Sequence, residues 1–323
     1  MFVRASSLVL AALLFFAGGA VWGQDKYPER GIEVVIPIAP GGTQDLATRL
    51  LADIIPKYLG QPLIPINKPG AGGFLGGMAV AKAKPDGYTI GVFNNTQAIP
   101  EVLAKIRPAS YSSKDFQPIA NFSGWYVILC VKGDAPYKTF QEFVEYARKH
   151  PNELRFGHPG VGNSYWQLGL SLAKETGIKL KDIPFNGEAE YLTALLGNHI
   201  EVCVMTYGGS TRQHIQAKIL RVLCTFEKNK LEELPDVPTI KSLGFNYDFG
   251  DYIIGALAPK ATPKNIVVKL DEAIRKVTED AEFKEKMKAL NLPNWYLGTK
   301  DFENLVAKNI VIRTNFLKEK GFL

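Results

Sequence analysis

The chain has 323 residues, 46% of them apolar and 22% charged, with 30 Gly, 20 Pro and a formal net charge of +6. Such a composition can build a core, which excludes disorder as the main state, and the length implies about two domains. No run of five Lys or Arg occurs, nor any finger or RNP-like motif, so the mild positive charge gives no ground for a nucleic-acid partner.

The amino-terminal stretch reads as a secretory signal peptide. Arg4 precedes an apolar run of 11 residues, 7–17, too short to span a bilayer comfortably. Val21-Trp22-Gly23 then places small or modest side chains before a cut ahead of Gln24. Loss of residues 1–23 removes one Arg and no acid, leaving +5. No later segment approaches 18 unbroken apolar residues, so the mature chain is expected to be soluble.

Beyond the leader, short β-branched runs alternate with amphipathic ones. Residues 32–39 (IEVVIPIA) read as a strand covered on both faces. Pro40-Gly41-Gly42-Thr43 follows. A helical period then places Leu46, Ala47, Leu50, Leu51, Ile54 and Ile55 on one face, and Pro56 ends or kinks it. A strand at 63–66, a Gly-rich turn, a helix at 73–82 and a strand at 88–93 come next. Asn94-Asn95-Thr96 can cap a helix running toward Leu103. The grammar repeats with strands at 125–131, 154–157, 180–185, 200–205 and 220–225 and helices at 139–149, 164–176, 188–196 and 208–217. Residues 227–246 look like a connection. A strand at 252–258 follows, then helices at 263–278, 281–290 and 301–318, the first opened by Pro263. This series predicts two α/β units with mostly parallel sheets, residues 24–124 with 248–323 and residues 125–247, joined by two crossings that form a hinge.

Cys130, Cys203 and Cys224 sit in apolar, strand-like runs and read as buried thiols, with a Cys203–Cys224 bridge open in an oxidising compartment. The four histidines are scattered. No metal-ligand spacing and no nucleophile-elbow motif occurs, so neither a metal, a cofactor nor catalysis is expected.

The informative positions lie where strands end. Pro40, Gly41, Gly42 and Thr43, with Asp45 in the following turn, combine close backbone approach with a helix N-terminus, a combination suited to an anion; a plain tight turn explains the spacing equally well. Residues 157–164 match the spacing of a phosphate-binding P-loop except that Asn163 replaces the Lys, which removes the case for nucleotide hydrolysis. Gly160, Gly162, Asn163 and Ser164 remain as a neutral anion cradle or as a helix cap. Asn94, Asn95 and Thr96, and Asn186-Gly187, occupy two further strand ends. In open α/β sheets ligands sit beyond the carboxyl ends of strands, and all four loops have that position. The Gly-rich stretch 69–77 reads as turn and helix packing.

Tyr27-Pro28 leading into IEVVIPIAPGGTQDLATRLL, Gly60-Gln61-Pro62, residues 67–73 (NKPGAGG), residues 84–89 (KPDGYT), the P-G-x-G-x-S stretch at 159–164, Pro184 to Gly187 before LTALLG, and residues 258–263 (APKATP) together resemble the substrate receptors of the tripartite tricarboxylate transporters, the Bug proteins. The resemblance covers nearly the whole mature chain. It implies a two-lobed periplasmic binding protein fold of type II-like α/β build, with a cleft between the lobes that holds a carboxylate through backbone groups, polar side chains and water. Carried over by motif, the contacts fall on Pro40, Gly41, Gly42, Thr43, Asp45, Asn94, Asn95, Thr96, Gly160, Gly162, Asn163, Ser164 and Gly187. Glu188 stands where a small residue is usual, and Tyr165-Trp166 is unusually bulky.

The function expected from this is a periplasmic receptor that acts as a monomer and hands a small organic carboxylate to membrane permease subunits. A solute sensor presenting its ligand to a membrane signalling protein is the alternative. Tyr165, Trp166 and Tyr207 near these strand ends can flank a planar ring, which favours an aromatic acid, while core packing accounts for Trp166 at least as well.

Overall fold

A computed structural model describes residues 27–103 and 108–323. The leader expected at 1–23 lies outside the described residues.

The first sheet begins with β1 (Ile32–Ile36), whose apolar side chains are almost all inaccessible. Helix α1 (Thr43–Ile54) packs Ala47, Leu50, Leu51 and Ile54 inward as its period requires, and Pro56 opens a separate short turn, α2 (Pro56–Leu59). Then follow β2 (Leu63–Asn67), α3 (Phe74–Ala81), β3 (Thr89–Phe93) and α4 (Asn95–Ala98). The helix expected to run on to Leu103 stops after one turn, because Pro100 disfavours helix at Ile99. Strand β4 (Phe116–Ser123) leads through Gly124-Trp125 into the second sheet. That sheet is built from β5 (Tyr126–Lys132), α5 (Phe140–Lys149), β6 (Arg155–His158), α6 (Ser164–Thr176), β7 (Lys181–Pro184), α7 (Glu188–Leu196), β8 (Val202–Tyr207), α8 (Gly209–Gln216) and β9 (Leu220–Thr225). The chain returns with β10 (Ile254–Pro259) and finishes with α9 (Lys264–Glu279), α10 (Ala281–Ala289), β11 (Asn294–Leu297) and α11 (Thr299–Glu319).

Both sheets are mixed rather than mostly parallel. The first has the order β11-β4-β10-β3-β1-β2 and the second β7-β6-β8-β5-β9. In each, the parallel βαβ half is the part that the strand–helix alternation predicts: β2-β1-β3 and β7-β6-β8. In each, the strand that the chain makes on entering the lobe is inserted antiparallel: β10 between β3 and β4, β5 between β8 and β9. Periodicity carries no sign of strand direction, so this inversion escaped the pattern, as did β4 and β11 themselves. The result is a two-lobed α/β fold.

The crossings touch. A Cβ on Gly124 would lie 2.4 Å from the Tyr252 carbonyl oxygen, so only glycine fits where the outgoing segment passes the returning one. The neighbouring Trp125 ring lies 5.6 Å from that of Tyr252.

All three cysteines are free and buried. Cys203 on β8 and Cys224 on β9 flank β5 from opposite sides, where they oppose Cys130 and Leu129. Two strand spacings separate them, roughly 9–10 Å, beyond disulfide reach. The bridge left open by the sequence is therefore not formed. Burial pushes the Cys130 thiol up to about 12.

Candidate functional site

Between the sheets lies a cleft of about 800 Å³, a volume suited to a small ligand. The carboxyl ends of β1, β2, β3, β6 and β7 all open onto it, through residues such as Pro40, Gly72, Asn94, Gly160 and Gly187. So do the first residues of four helices: Thr43, Asn95, Ser164 and Glu188. The first turns of α1 and α7 have no side-chain cap, which leaves their N–H groups to whatever enters the cleft.

Of the expected positions, Pro40, Gly42, Thr43, Asn94, Asn95, Thr96, Gly160, Asn163, Ser164 and Gly187 line this cleft. Gly41, Asp45, Gly162 and Tyr207 do not. Gly41 adopts a positive φ of 87° and donates its N–H to Asp45 Oδ2 at 2.9 Å. Asp45 is buried. It also accepts from Arg49 and from Asn67 Nδ2, at 2.9 Å for the latter. Burial works to raise its pKa, but these hydrogen bonds outweigh it and hold the carboxyl below the usual range. Asp45 thus shapes the turn from behind. Gly162, at φ 82°, gives its carbonyl to Gln167 Nε2 at 2.9 Å and serves the helix start.

The first-lobe wall is a closed polar network. Asn94 caps α4, accepting from the Thr96 N–H at 2.8 Å, and donates to Gln44 Oε1 at 2.9 Å. Gln44 Nε2 donates to the Val92 carbonyl at 2.6 Å. Asn95 turns away toward the Asp251 carbonyl, 2.7 Å away. The amide side chains expected to hold a ligand here line the cleft and also carry these bonds to protein.

The second-lobe wall differs. Ser164 Oγ accepts from Arg313 Nη1 of α11 at 2.9 Å. Arg313 is only 4% exposed, stacks 4.0 Å from the centre of the Phe249 ring, and has two guanidinium nitrogens without a hydrogen-bond partner. Burial lowers its pKa to about 10, so it stays charged near neutrality. In the same lining, Thr206 Oγ1 donates to Glu188 Oε2 at 2.9 Å and, having a single proton, accepts from Tyr165 Oη at 2.7 Å. Burial pushes Glu188 up to about 7 against the hydrogen bonds from Thr206.

The sequence reading missed several of these residues. The Gly-rich stretch was assigned to packing, yet Pro69 to Gly73 lines the cleft. The strand-end rule applied to the other loops identifies it too, since it follows β2. Gln44 and Thr206 lie next to such ends. Arg313 has no local signal, because 149 positions separate it from Ser164.

The aromatic argument changes. Trp166 faces away, donating to Asp182 and lying 5.3 Å from the Phe322 ring. Tyr207 lines a second cavity of about 610 Å³ beside the crossings at Gly124 and Tyr252, with its hydroxyl on Glu233 Oε2 at 3.1 Å. Of the three rings, Tyr165 alone borders the cleft; Trp125, Phe185 and Tyr191 join it there. His158 is wholly buried, with Nε2 2.8 Å from Asp182 Oδ1, and is not part of the lining.

Among the described residues there is no group of His, Cys, Asp or Glu arranged to hold a metal, and no helix is long and apolar enough to cross a membrane.

Comparison with known proteins gives a consistent picture. Residues 47–322 match the family model described as the tripartite tricarboxylate transporter family receptor. A UPF0065 protein from the gbd 5′ region of Cupriavidus necator is 32% identical over 318 residues, covering 96% of this chain and 94% of that protein. The solved structure of the periplasmic binding protein BugD superposes with a TM-score of 0.83 at 28% identity, covering 91% of this chain and 99% of that one. MatC from Rhodopseudomonas palustris, solved with bound malate, superposes with a TM-score of 0.80 at 25% identity, covering 90% and 100%.

Proposed function

The chain belongs to the tripartite tricarboxylate transporter receptor family, and from that premise we propose that it is a periplasmic receptor for a small organic carboxylate, which it passes to the membrane subunits of such a transporter. The family's members are binding proteins, and the chain is not an enzyme. The observation that carries the ligand class is the convergence of uncapped and small-residue helix starts from both lobes on one cleft. That arrangement offers N–H groups to an anion. The malate bound in MatC supports the same class.

The residues proposed to meet the ligand are Pro40, Gly42, Thr43, Gly160, Asn163, Ser164 and Gly187, together with Gly70 to Gly73, which the sequence reading left out. Residues 1–23 are proposed as a cleaved export signal, and the mature chain as a monomer. The bodies 24–124 with 248–323 and 125–247 are proposed to close on the ligand about the crossings at Gly124-Trp125 and near Tyr252. A ligand touching both lobes favours the closed state by its differential affinity.

The test is a thermal-shift screen of the mature protein against mono-, di- and tricarboxylic acids. An acid present at about 100 times its Kd adds roughly 2.7 kcal/mol of stability. A panel in which no acid shifts the transition overturns the reading.

A further inference from the structure

The cleft of this receptor carries the wrong sign for a bare anion. Its lining holds two acids, Glu188 and Glu190, and no Lys, Arg or His. Glu190 is exposed and accepts from the Asn186 N–H at 3.1 Å, which explains it as a turn residue. Glu188 has a different setting, held within the cleft wall by hydrogen bonds from Thr206. It begins α7, where the family resemblance leads one to expect a small side chain. Its carboxyl is turned inward onto Thr206, with Tyr165 behind Thr206 and the Tyr191 side chain alongside.

A positive charge, Arg313, lies behind Ser164. Because Arg313 donates to Ser164 Oγ, the serine proton is free to point into the cleft. Ser164 and Glu188 both line the cleft, so one pocket presents a donor backed by a cation and an acceptor that is an acid. Such a pocket is dipolar. A plain dicarboxylate brings a second negative group toward Glu188. A hydroxy acid leaves the Glu188 charge with no counter-ion in a confined site, which is costly.

We propose that the ligand is an amine-bearing carboxylate, an amino acid or close relative, with its carboxylate at Ser164 in front of Arg313 and its ammonium group on Glu188. This rests on the receptor reading above and narrows its ligand class. Glu188 is then the specificity-determining residue.

The sign of the pH response separates this from the obvious rival. Burial raises the Glu188 carboxyl to about 7, so it changes charge around neutrality. Thr206, Tyr165, Tyr191 and, from the sheet beneath, the Cys130 and Cys203 thiols are the groups that face it, and the tyrosines and thiols stay neutral because burial raises all four above their usual values. An ammonium group binds the ionised carboxylate, so affinity rises with pH through about 7. A bare anion binds the protonated acid, so its affinity falls over the same interval.

The experiment pairs α-amino acids with the α-hydroxy acids that share their side chains, and adds plain dicarboxylic acids. Thermal shift finds binders, and calorimetry at about pH 6 and about pH 8 measures them on the wild type, Glu188→Gln and Glu188→Ala. The expected result is an amino acid that binds roughly tenfold or more tightly than its hydroxy partner, with the gap widening at the higher pH. Both variants are expected to stay folded and to lose that preference. Hydroxy or plain acids that bind as tightly as any amino acid, or a preference that survives Glu188→Gln, overturn the inference while leaving the receptor reading intact. If no acid of any kind binds, both fall.

Discussion

On the wall built from β1, β2 and β3, polar side chains are bonded to one another: Asn94 to Thr96 and Gln44, Gln44 to Val92, and Asn95 to Asp251. What that wall offers a ligand is backbone, at the uncapped start of α1 and along the glycines of 70–73. On the facing wall the polar groups are charged: Arg313, with two nitrogens that lack a partner, behind Ser164, and Glu188, held by Thr206. A buried cation without a counter-ion costs stability, so the persistence of Arg313 behind Ser164 marks that wall as the place where an anionic ligand completes the electrostatics. The first wall sets shape, and the second sets charge.

The comparison is broken most severely by blocking the backbone of the first wall. A Cβ at Gly42 would come within 2.8 Å of Ile38 Cδ1, and a branched side chain there also covers the N–H groups that begin α1. The backbone at Gly42, with φ −74°, is open to any residue, and the end of Ile38 can move. Gly42→Val is therefore expected to lower ligand affinity on the order of a hundredfold with only a small change in melting temperature. Calorimetry beside a thermal melt checks both halves. A variant that melts early but binds normally would place Gly42 in the packing and not in the site.

Arg313→Met tests the second wall. Replacing a buried, unpaired cation by an apolar side chain is often neutral or stabilising, while the field behind Ser164 disappears. The expected outcome is an unchanged or raised melting temperature together with roughly tenfold weaker binding of the acid. The reverse pattern, lost stability with retained affinity, would make Arg313 a tie between α11 and α6 and nothing more.

Asn94→Ala sharpens the contrast from the other side. It deletes the cap of α4 and the bond to Gln44. The expected cost is about 1–2 kcal/mol of folding stability, read by denaturant titration, with a smaller effect on affinity. Affinity loss that exceeds the stability loss would show that the Asn94 side chain reaches the ligand directly.

The two walls also differ in how much of them the sequence displays. Loops at strand ends are local features, and Pro40, Gly160 and Gly187 announce themselves by glycine and proline next to a β-branched run. The parallel halves of both sheets follow from the same alternation. The antiparallel insertion of β5 and β10 does not, because a strand's period is the same in either direction. The charged layer of the second wall is non-local: Thr206 meets Glu188 across 18 positions, and Arg313 reaches Ser164 from the last helix. Asp45 misled in the opposite sense. Its place in a first turn beside a glycine loop resembles a ligand contact, but Arg49 and Asn67 converge on it from behind. Only tertiary packing reveals which polar groups are already spent.

The smallest expected effect comes from Ser164→Ala, and it isolates the hydroxyl through which the two halves of the second wall communicate. Ser164 lines the cleft and takes the Arg313 hydrogen bond on its other side. Removing it deletes one donor to the acid, for roughly 1 kcal/mol of affinity. It also leaves a third Arg313 nitrogen without its partner, but the vacated space opens on the cleft, where water can replace the bond, so the protein is expected to stay folded. The informative quantity is the coupling with Arg313→Met. If the guanidinium acts on the ligand through Ser164, the double variant binds the acid about as weakly as Arg313→Met alone, and the coupling energy is on the order of the Ser164→Ala effect itself. If the two residues act independently, the losses add. Calorimetry on the four proteins, with folding checked by thermal melt, decides between them. Additive losses would remove Ser164 as the link and leave Arg313 as a field acting on the cleft through space.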